Sequence, residues 1–325
     1  MNRNQLALLI SFLVFTSVFG VLAQSDTVKL YSAQDIDWRE HATVNYTAGA
    51  KGANAFLNVS ADADGKIYVA NYSNILIIDA KTGKTLGTIV DKTGTIKQYS
   101  DIAPTHDGNF WIADSKSAVY LVDASGKILN TVAFHTSPGF SERTPGEIEI
   151  DADGNLYVSY GGQGIHFQVF TPDGEYTRSI ITGAAALGGV SQFAFAPDGT
   201  LFFLGTGIGW ISEEGGKAVV KEFAPEFMKE QNFIQYRGFA VDADGNVYFS
   251  AGADMDKATS VFKLDKEGKL LAQYGKAQER KNWGSDFGTD ELSFTVSLAL
   301  ASDGALVISD TNNIYSQLIK INMQD

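Results

Sequence analysis

Six near-copies of one nine-residue pattern, an Asp-Gly pair followed by a short run of aromatic and β-branched residues, restrict what this chain can fold into. The clearest copy is Asp151-Ala-Asp-Gly-Asn-Leu-Tyr-Val-Ser. The Asp of each Asp-Gly pair falls at Asp64, Asp107, Asp153, Asp198, Asp244 and Asp303, giving steps of 43, 46, 45, 46 and 59 residues. A period in the mid-forties marks a repeat architecture, each unit one supersecondary element that buries its faces against its neighbours. Gly accepts positive φ and Asp bonds the backbone ahead of it, so Asp-Gly between apolar runs makes a tight hairpin turn. The residues after the turn suit a buried strand. Tyr68, Trp111, Tyr157, Phe202 and Tyr248 share one equivalent position there, with Val307 in the sixth copy.

A second hairpin follows in most copies, turning at residues 79–83, 123–126, 172–174, 213–216 and 265–268. Four strands per unit and six units predict an all-β fold, a six-bladed β-propeller of four-stranded antiparallel blades over residues 56–325, which protects its sheet edges by closing on itself. The last unit runs out of chain after its third strand, at residues 317–322. Within the N-terminal segment 24–55, residues 42–47 stand before the first unit as 270–274 stand before the sixth. They are therefore expected to supply the missing outer strand.

Residues 1–23 read differently. Arg3 precedes a run that is mainly apolar from Leu6 to Leu22 but broken by Ser11, Thr16 and Ser17, and Val21-Leu-Ala23 fits a small-residue cleavage site. This is the pattern of a secretory signal peptide rather than of a membrane anchor. A secreted, extracytoplasmic and monomeric domain is expected, with no membrane span in the mature chain. Removing Arg3 takes the net charge from −13 to −14, with 24 basic against 38 acidic residues. Such a balance argues against nucleic acid and anionic lipid as partners. The chain has no Cys, which excludes disulfides, thiolate metal sites and a Cys nucleophile. Asn45, Asn58 and Asn71 each begin an N-glycosylation sequon, relevant only where the source glycosylates.

In a propeller the first strand of each blade lines the central channel. Six residues before each marker Asp stand Asn58, Asp101, Glu147, Gln192, Gly238 and Ser297, and two residues further on stand Ser60, Ala103, Glu149, Ala194, Ala240 and Ala299. Small residues are what six converging strands demand, so Asp101, Glu147 and Glu149 are the unexpected members. Asn58, Gln192 and Arg237 flank them. These oxygen donors suit Ca2+ or another hard divalent cation, with Asp101 and Glu147 as the metal-ligand candidates. A water-filled polar channel, with Arg237 pairing a carboxylate, accounts for the same residues. The long connectors share the opposite face from the Gly turns, and loops on a rigid scaffold are where binding tends to sit. Tyr99, Phe140, Tyr236 and Trp283 are the aromatic candidates there.

Asp62-Ala-Asp64, Asp151-Ala-Asp153 and Asp242-Ala-Asp244 imitate the start of a calcium loop, but none is followed by the bidentate Glu such a loop needs. They are expected to be turns. The four His are scattered, and His166 is the better general-base candidate of the two, with His135, that could reach the connector face.

The units resemble the NHL repeat and, more loosely, the gluconolactonase-like (senescence marker protein) propellers. The resemblance is carried best by Phe110-Trp-Ile-Ala-Asp-Ser and Leu306-Val-Ile-Ser-Asp-Thr-Asn-Asn. Only Asp114 and Asp310 keep the family's Asp after the second strand; Asn71, Tyr160, Gly205 and Ala251 replace it elsewhere. The resemblance implies the fold and two functional readings. The first is a binding module that holds a protein, peptide or carbohydrate on its connector face. The second is a divalent-cation-dependent hydrolase or lyase whose channel-mouth site maps, by position alone, onto Asn58, Asp101, Glu147 and Gln192.

Overall fold

The computed structural model describes residues 29–31, 44–45, 58–136, 144–161, 164–182, 187–214, 217–252, 260–277, 291–311 and 315–323. Blade one is built from Val59–Ala61, Lys66–Ala70, Ile75–Asp79 and Thr85–Ile89, and blade two from Tyr99–Pro104, Phe110–Asp114, Val119–Val122 and Ile128–Val132. Pro145–Ile150, Leu156–Tyr160, His166–Phe170 and Tyr176–Ile181 make blade three. Gln192–Phe195, Leu201–Leu204, Ile208–Glu214 and Lys217–Glu222 make blade four. Gln235–Val241, Val247–Gly252, Ser260–Leu264 and Leu270–Tyr274 form blade five, and Phe294–Leu300, Leu306–Thr311 and Tyr315–Ile321 form blade six. Within each blade consecutive strands pair antiparallel. The first strands touch one another in order round a closed ring, with blade six meeting blade one. The fold is an all-β six-bladed propeller.

The marker glycines explain the hairpins. Gly65, Gly108, Gly154, Gly199, Gly245 and Gly304 have φ between 79° and 84°. In each turn the Gly N–H donates to the carbonyl three residues back, as Gly154 does to Asp151 at 3.0 Å. A Cβ at that φ would be strained, which is why the position is Gly in all six copies. The preceding carboxylate locks the turn where it is Asp. Asp151 Oδ1 accepts the N–H of Asn155 at 2.8 Å, and Asp242 Oδ2 accepts the Tyr248 hydroxyl at 3.0 Å. The calcium-loop imitations are thus turns whose first carboxylates are already used.

Apolar burial lies between blades, not in the channel. Six clusters occupy the six blade interfaces, for example Tyr68, Ile102 and Phe110 between blades one and two, and Tyr157, Phe193 and Leu201 between three and four. A sheet buried on both faces needs consecutive apolar residues, which accounts for strands such as Phe110–Asp114, buried at every position.

At the N-terminal side, Val44 and Asn45 pair antiparallel with Ser316 and Tyr315 of blade six. The rest of the 42–47 stretch expected to close the ring lies outside the described residues, as does the leader 1–23. Lys29–Tyr31 pairs parallel with Ala272–Tyr274 at the outer edge of blade five, an addition that the repeat pattern did not foreshadow. One short helix, Pro225–Gln231, sits in the connector between blades four and five. Among the described residues no helix is long and apolar enough to cross a membrane.

Candidate functional site

The channel mouth on the connector face is shaped by β-bulges. The first strands of blades two, three, five and six slip register against their second strands between Tyr99 and Asp101, Pro145 and Ile148, Tyr236 and Phe239, and Thr295 and Ser297. A bulge adds one residue to a strand and re-aims the side chains beside it. Here it does so at the positions that hold Asp101, Glu147 and Arg237. In blade three the bulge also brings Ser159 close. A Cβ on Gly146 would stand 2.8 Å from Ser159 Oγ, and with Gly there the hydroxyl oxygen accepts the Glu147 N–H at 2.9 Å.

The side chains then form one polar chain across the channel. Asn58 Nδ2 donates to Glu147 Oε2 at 2.6 Å, and Gln192 Nε2 donates to Asn58 Oδ1 at 3.1 Å and to the Val296 carbonyl at 3.2 Å. Asp101 reaches across to the neighbouring blade, where its Oδ2 accepts the Ile148 N–H at 2.7 Å while Oδ1 accepts that of Ile102 at 2.8 Å. Asp101 and Glu147 are themselves within hydrogen-bond reach of one another. Blades one, two, three, four and six are tied together at this level by residues up to 134 positions apart.

Burial dominates the electrostatics. It lifts the Asp101 carboxyl from 3.8 to about 7, against the pull of the two N–H donors. Glu147 is raised well above the ordinary range by burial and then by the charge of Asp101. Glu149, two residues along the same strand, is pushed up to about 8 by burial and then by Asp101. Glu147 and Glu149 keep some surface toward channel water, but the blades enclose them on every other side. Two adjacent carboxyls in such a place cannot both ionise without a counter-charge, so Asp101 and Glu147 hold a proton between them near neutral pH.

A cavity of about 510 Å³ opens above this chain, and Asn58, Glu147, Gln192, Tyr236 and Arg237 all line it. Among the described residues Arg237 pairs with no carboxylate. Its guanidinium lies 5.6 Å over the Phe294 ring, so its donors face the cavity rather than an ion-pair partner. Tyr236 forms part of the wall, its hydroxyl 3.4 Å from the Phe233 carbonyl, and Ile234, half exposed, stands at the rim.

Solved structures match this architecture, although no family profile and no curated protein matches the sequence. A gluconolactonase from Xanthomonas campestris superposes with a TM-score of 0.57 at 15% identity, over 92% of this chain and 96% of that one. A calcium-binding regucalcin from Agrobacterium tumefaciens gives the same score and identity over 92% and 98% of the two chains. A streptogramin B lyase gives 0.57 at 13% identity over 88% and 99%. The fold is that of the gluconolactonase-like propellers. At these identities the likeness carries the fold alone.

Other sequence candidates fall elsewhere in the six-bladed propeller. Tyr99 belongs to the core, not to a binding face: it is buried between blades one and two, and its hydroxyl oxygen accepts the Asp91 N–H at 2.6 Å. Its place at the start of a first strand, one step before a bulge, turns it inward. His166 is buried on a third strand, with its ring edge-on to Phe134 at 5.6 Å, away from the channel. His135 stacks on Tyr176 at 3.8 Å. Phe140 and Trp283 lie outside the described residues. Asp114 and Asp310 pin connectors. Asp114 Oδ2 accepts the Lys97 N–H at 2.8 Å, and Asp310 accepts that of Ser293 at 3.1 Å, each donor lying 17 residues before its acceptor.

Ser159 is the site residue that sequence reasoning passed over. A signal was present, because the equivalent position is Ser in three units, at Ser159, Ser250 and Ser309. The Val296 carbonyl had none, since a backbone group carries no residue type. For metal ligation, no group of three or more His, Asp or Glu side chains among the described residues is arranged to hold an ion. The donors at the mouth are instead two carboxyls and two amides, and Gln192 Oε1 is buried without a hydrogen-bond partner.

Proposed function

We propose that the protein is a divalent-cation-dependent hydrolase or lyase acting on a small polar substrate at the channel mouth. The observation that carries this reading is the convergence of Asn58, Glu147, Gln192 and Arg237 on one cavity, with Asp101 directly behind Glu147. The donor set fits Ca2+ or a similar hard cation. Two carboxyls supply the charge, Asn58 and Gln192 supply amide oxygens, and the unpartnered Gln192 Oε1 is a buried oxygen in want of a positive partner. A bound cation would polarise a substrate carbonyl and acidify a bound water.

The chain's own residues do the rest. Glu147 and Asp101, with carboxyls raised toward neutrality, hold a proton or release it at working pH, as general acid–base chemistry requires. Arg237, stacked on Phe294, presents its donors to an oxygen of the substrate. Tyr236 and Phe233 wall the cavity and limit water. The structural neighbours named a gluconolactonase, a lyase and a calcium-binding protein support this class of reaction.

The test is turnover of a lactone and ester panel by purified protein, with and without chelator. Activity that requires calcium or another divalent ion and disappears in Glu147→Gln is the expected result. A protein inert toward the panel, and unshifted in melting temperature by the cation, sinks the proposal. In the second reading the protein is a secreted binding module whose connector face holds a protein, peptide or sugar, with Tyr236 and the half-exposed Ile234 as contacts.

A further inference from the structure

Blade four departs from the others on the face turned toward blade five. The residue paired with the marker aromatic is Ile77, Leu121, Val169, Lys263 or Lys320 in the other blades. In blade four Trp210 stands opposite Phe202. Phe223, just past the fourth strand, meets Phe202 edge-on, with ring centroids 5.5 Å apart and planes at 87°. Three rings thus gather where four of the other blades place one aromatic beside an aliphatic or a lysine stem, and blade six places Val307 beside Lys320.

The rings are not sealed in. Between blades two and three the corresponding aromatic, Trp111, is completely buried and lies against the Gly174 turn. Between five and six, Lys263 closes the gap by placing its ammonium 5.3 Å over Tyr248 and donating to the Met323 carbonyl at 3.1 Å. Between four and five the gap stays open as a cavity of about 430 Å³ on the Gly-turn face, the far side of the disc from the channel mouth; a cleft of about 510 Å³ also opens between blades one and two, where Tyr68 stands beside aliphatic Ile77 rather than a second ring. Phe202 and Trp210 are half-buried in its wall, and Asp198, Thr200, Asp244 and Lys266 surround it. Asp198 is fixed by accepting the Thr200 N–H at 2.9 Å, whereas among the described residues nothing donates to the Asp244 carboxylate.

We propose that this cleft binds carbohydrate, taking a pyranose unit of an oligosaccharide against Trp210. An aromatic floor matches the C–H face of a sugar ring, and the rim offers acceptors on Asp198, Asp244 and the Thr200 hydroxyl, whose own proton goes to Asp198, and a donor on Lys266 for its hydroxyls. The competing ligand classes fit less well. An apolar ligand would leave the polar rim unused, and an anion would meet two carboxylates. A cation would be repelled by Lys266 at the rim and by Lys221, whose ammonium lies 5.0 Å from the Trp210 centroid, a repulsion that a neutral sugar does not feel. A neutral polyol with one apolar face uses every group present.

Calorimetric titration of the purified full chain with cello-, malto-, xylo-, manno- and chito-oligosaccharides, in chelator, tests this directly. One of these classes is expected to bind, about tenfold or more weakly in Trp210→Ala and measurably more weakly in Asp244→Ala, while Trp210→Tyr keeps most of the affinity. Asp244 is exposed, so its variant reports on the cleft even where Trp210→Ala fails to fold. Chelator separates this cleft from the cation-dependent mouth. No binding by any of the five classes overturns the proposal, and so does binding that both Trp210→Ala and Asp244→Ala leave unchanged.

Discussion

Replacing Glu147 by Gln should make the cation-free protein more stable at pH 8, although it removes a residue from the centre of the candidate site. The amide keeps the shape and still accepts the Asn58 Nδ2–H that Glu147 Oε2 accepts at 2.6 Å. What it removes is a charge beside Asp101, whose carboxyl stands at about 7 instead of 3.8. Burial is the main cause of that displacement, whereas the Asp101 charge is the second cause of the rise in Glu147, and this repulsion is what the substitution removes. Both acids are raised in the folded state, so the folded protein binds more protons than the unfolded chain. Their contribution is intact below about pH 4 and is lost as pH rises, for Asp101 through about 7. Burial remains after the substitution and the repulsion does not, so roughly 1–2 kcal/mol should be recovered. For a domain of this size that is roughly 3–6 °C in melting temperature. Thermal unfolding in chelator at pH 5 and pH 8 measures it. The variant should match the wild type at pH 5 and exceed it at pH 8, and saturating calcium should raise the wild type but not the variant. A variant equal to or less stable than the wild type at pH 8 in chelator would refute the electrostatic reasoning.

Three further outcomes follow from contacts in the fold. Gly205→Ala places a Cβ 2.2 Å from the Leu187 carbonyl oxygen and 2.6 Å from that of Gly189, backbone atoms that cannot swing away, so a loss of about 2–3 kcal/mol or more is expected in thermal unfolding. Asp310→Ala strands the Ser293 N–H and the Gln317 amide, bonded at 3.1 and 3.0 Å, and should cost about 2–4 kcal/mol, with Asp310→Asn recovering much of it in the same assay. Asp151→Ala loses the turn bonds to Asn155 at 2.8 and 3.0 Å and should cost about 1–2 kcal/mol while leaving any calcium-induced melting shift as in the wild type; a lost shift would restore the calcium-loop reading of that motif.

Much of the architecture was legible in the residues because it is local and repeated. A Gly at positive φ and an Asp before it leave their mark in every unit, and an aromatic four residues after the marker Asp does so in five of the six, so Gly65 through Gly304 can be placed on hairpins without any tertiary information. The ring position was legible too, because equal spacing from the marker must put Asn58, Asp101, Glu147 and Gln192 on equivalent first strands.

Side-chain direction was not. Tyr99 and Asp101 lie two apart on one strand, a spacing that in a regular strand sends both to the same side. The bulge between them separates their fates, so that Tyr99 is buried between blades while Asp101 reaches Ile148 in the next blade. Arg237 likewise looked like the counter-charge of a carboxylate, and the Phe294 ring of another blade took it instead. Residue types and spacing determined the hairpins, the blade number and the level at which polar groups enter the channel, since those depend on backbone conformation over a few residues. Which oxygens meet, which carboxyls must share a proton and which clefts between blades stay open were decided only by the closed ring, because each depends on atoms brought together from different blades.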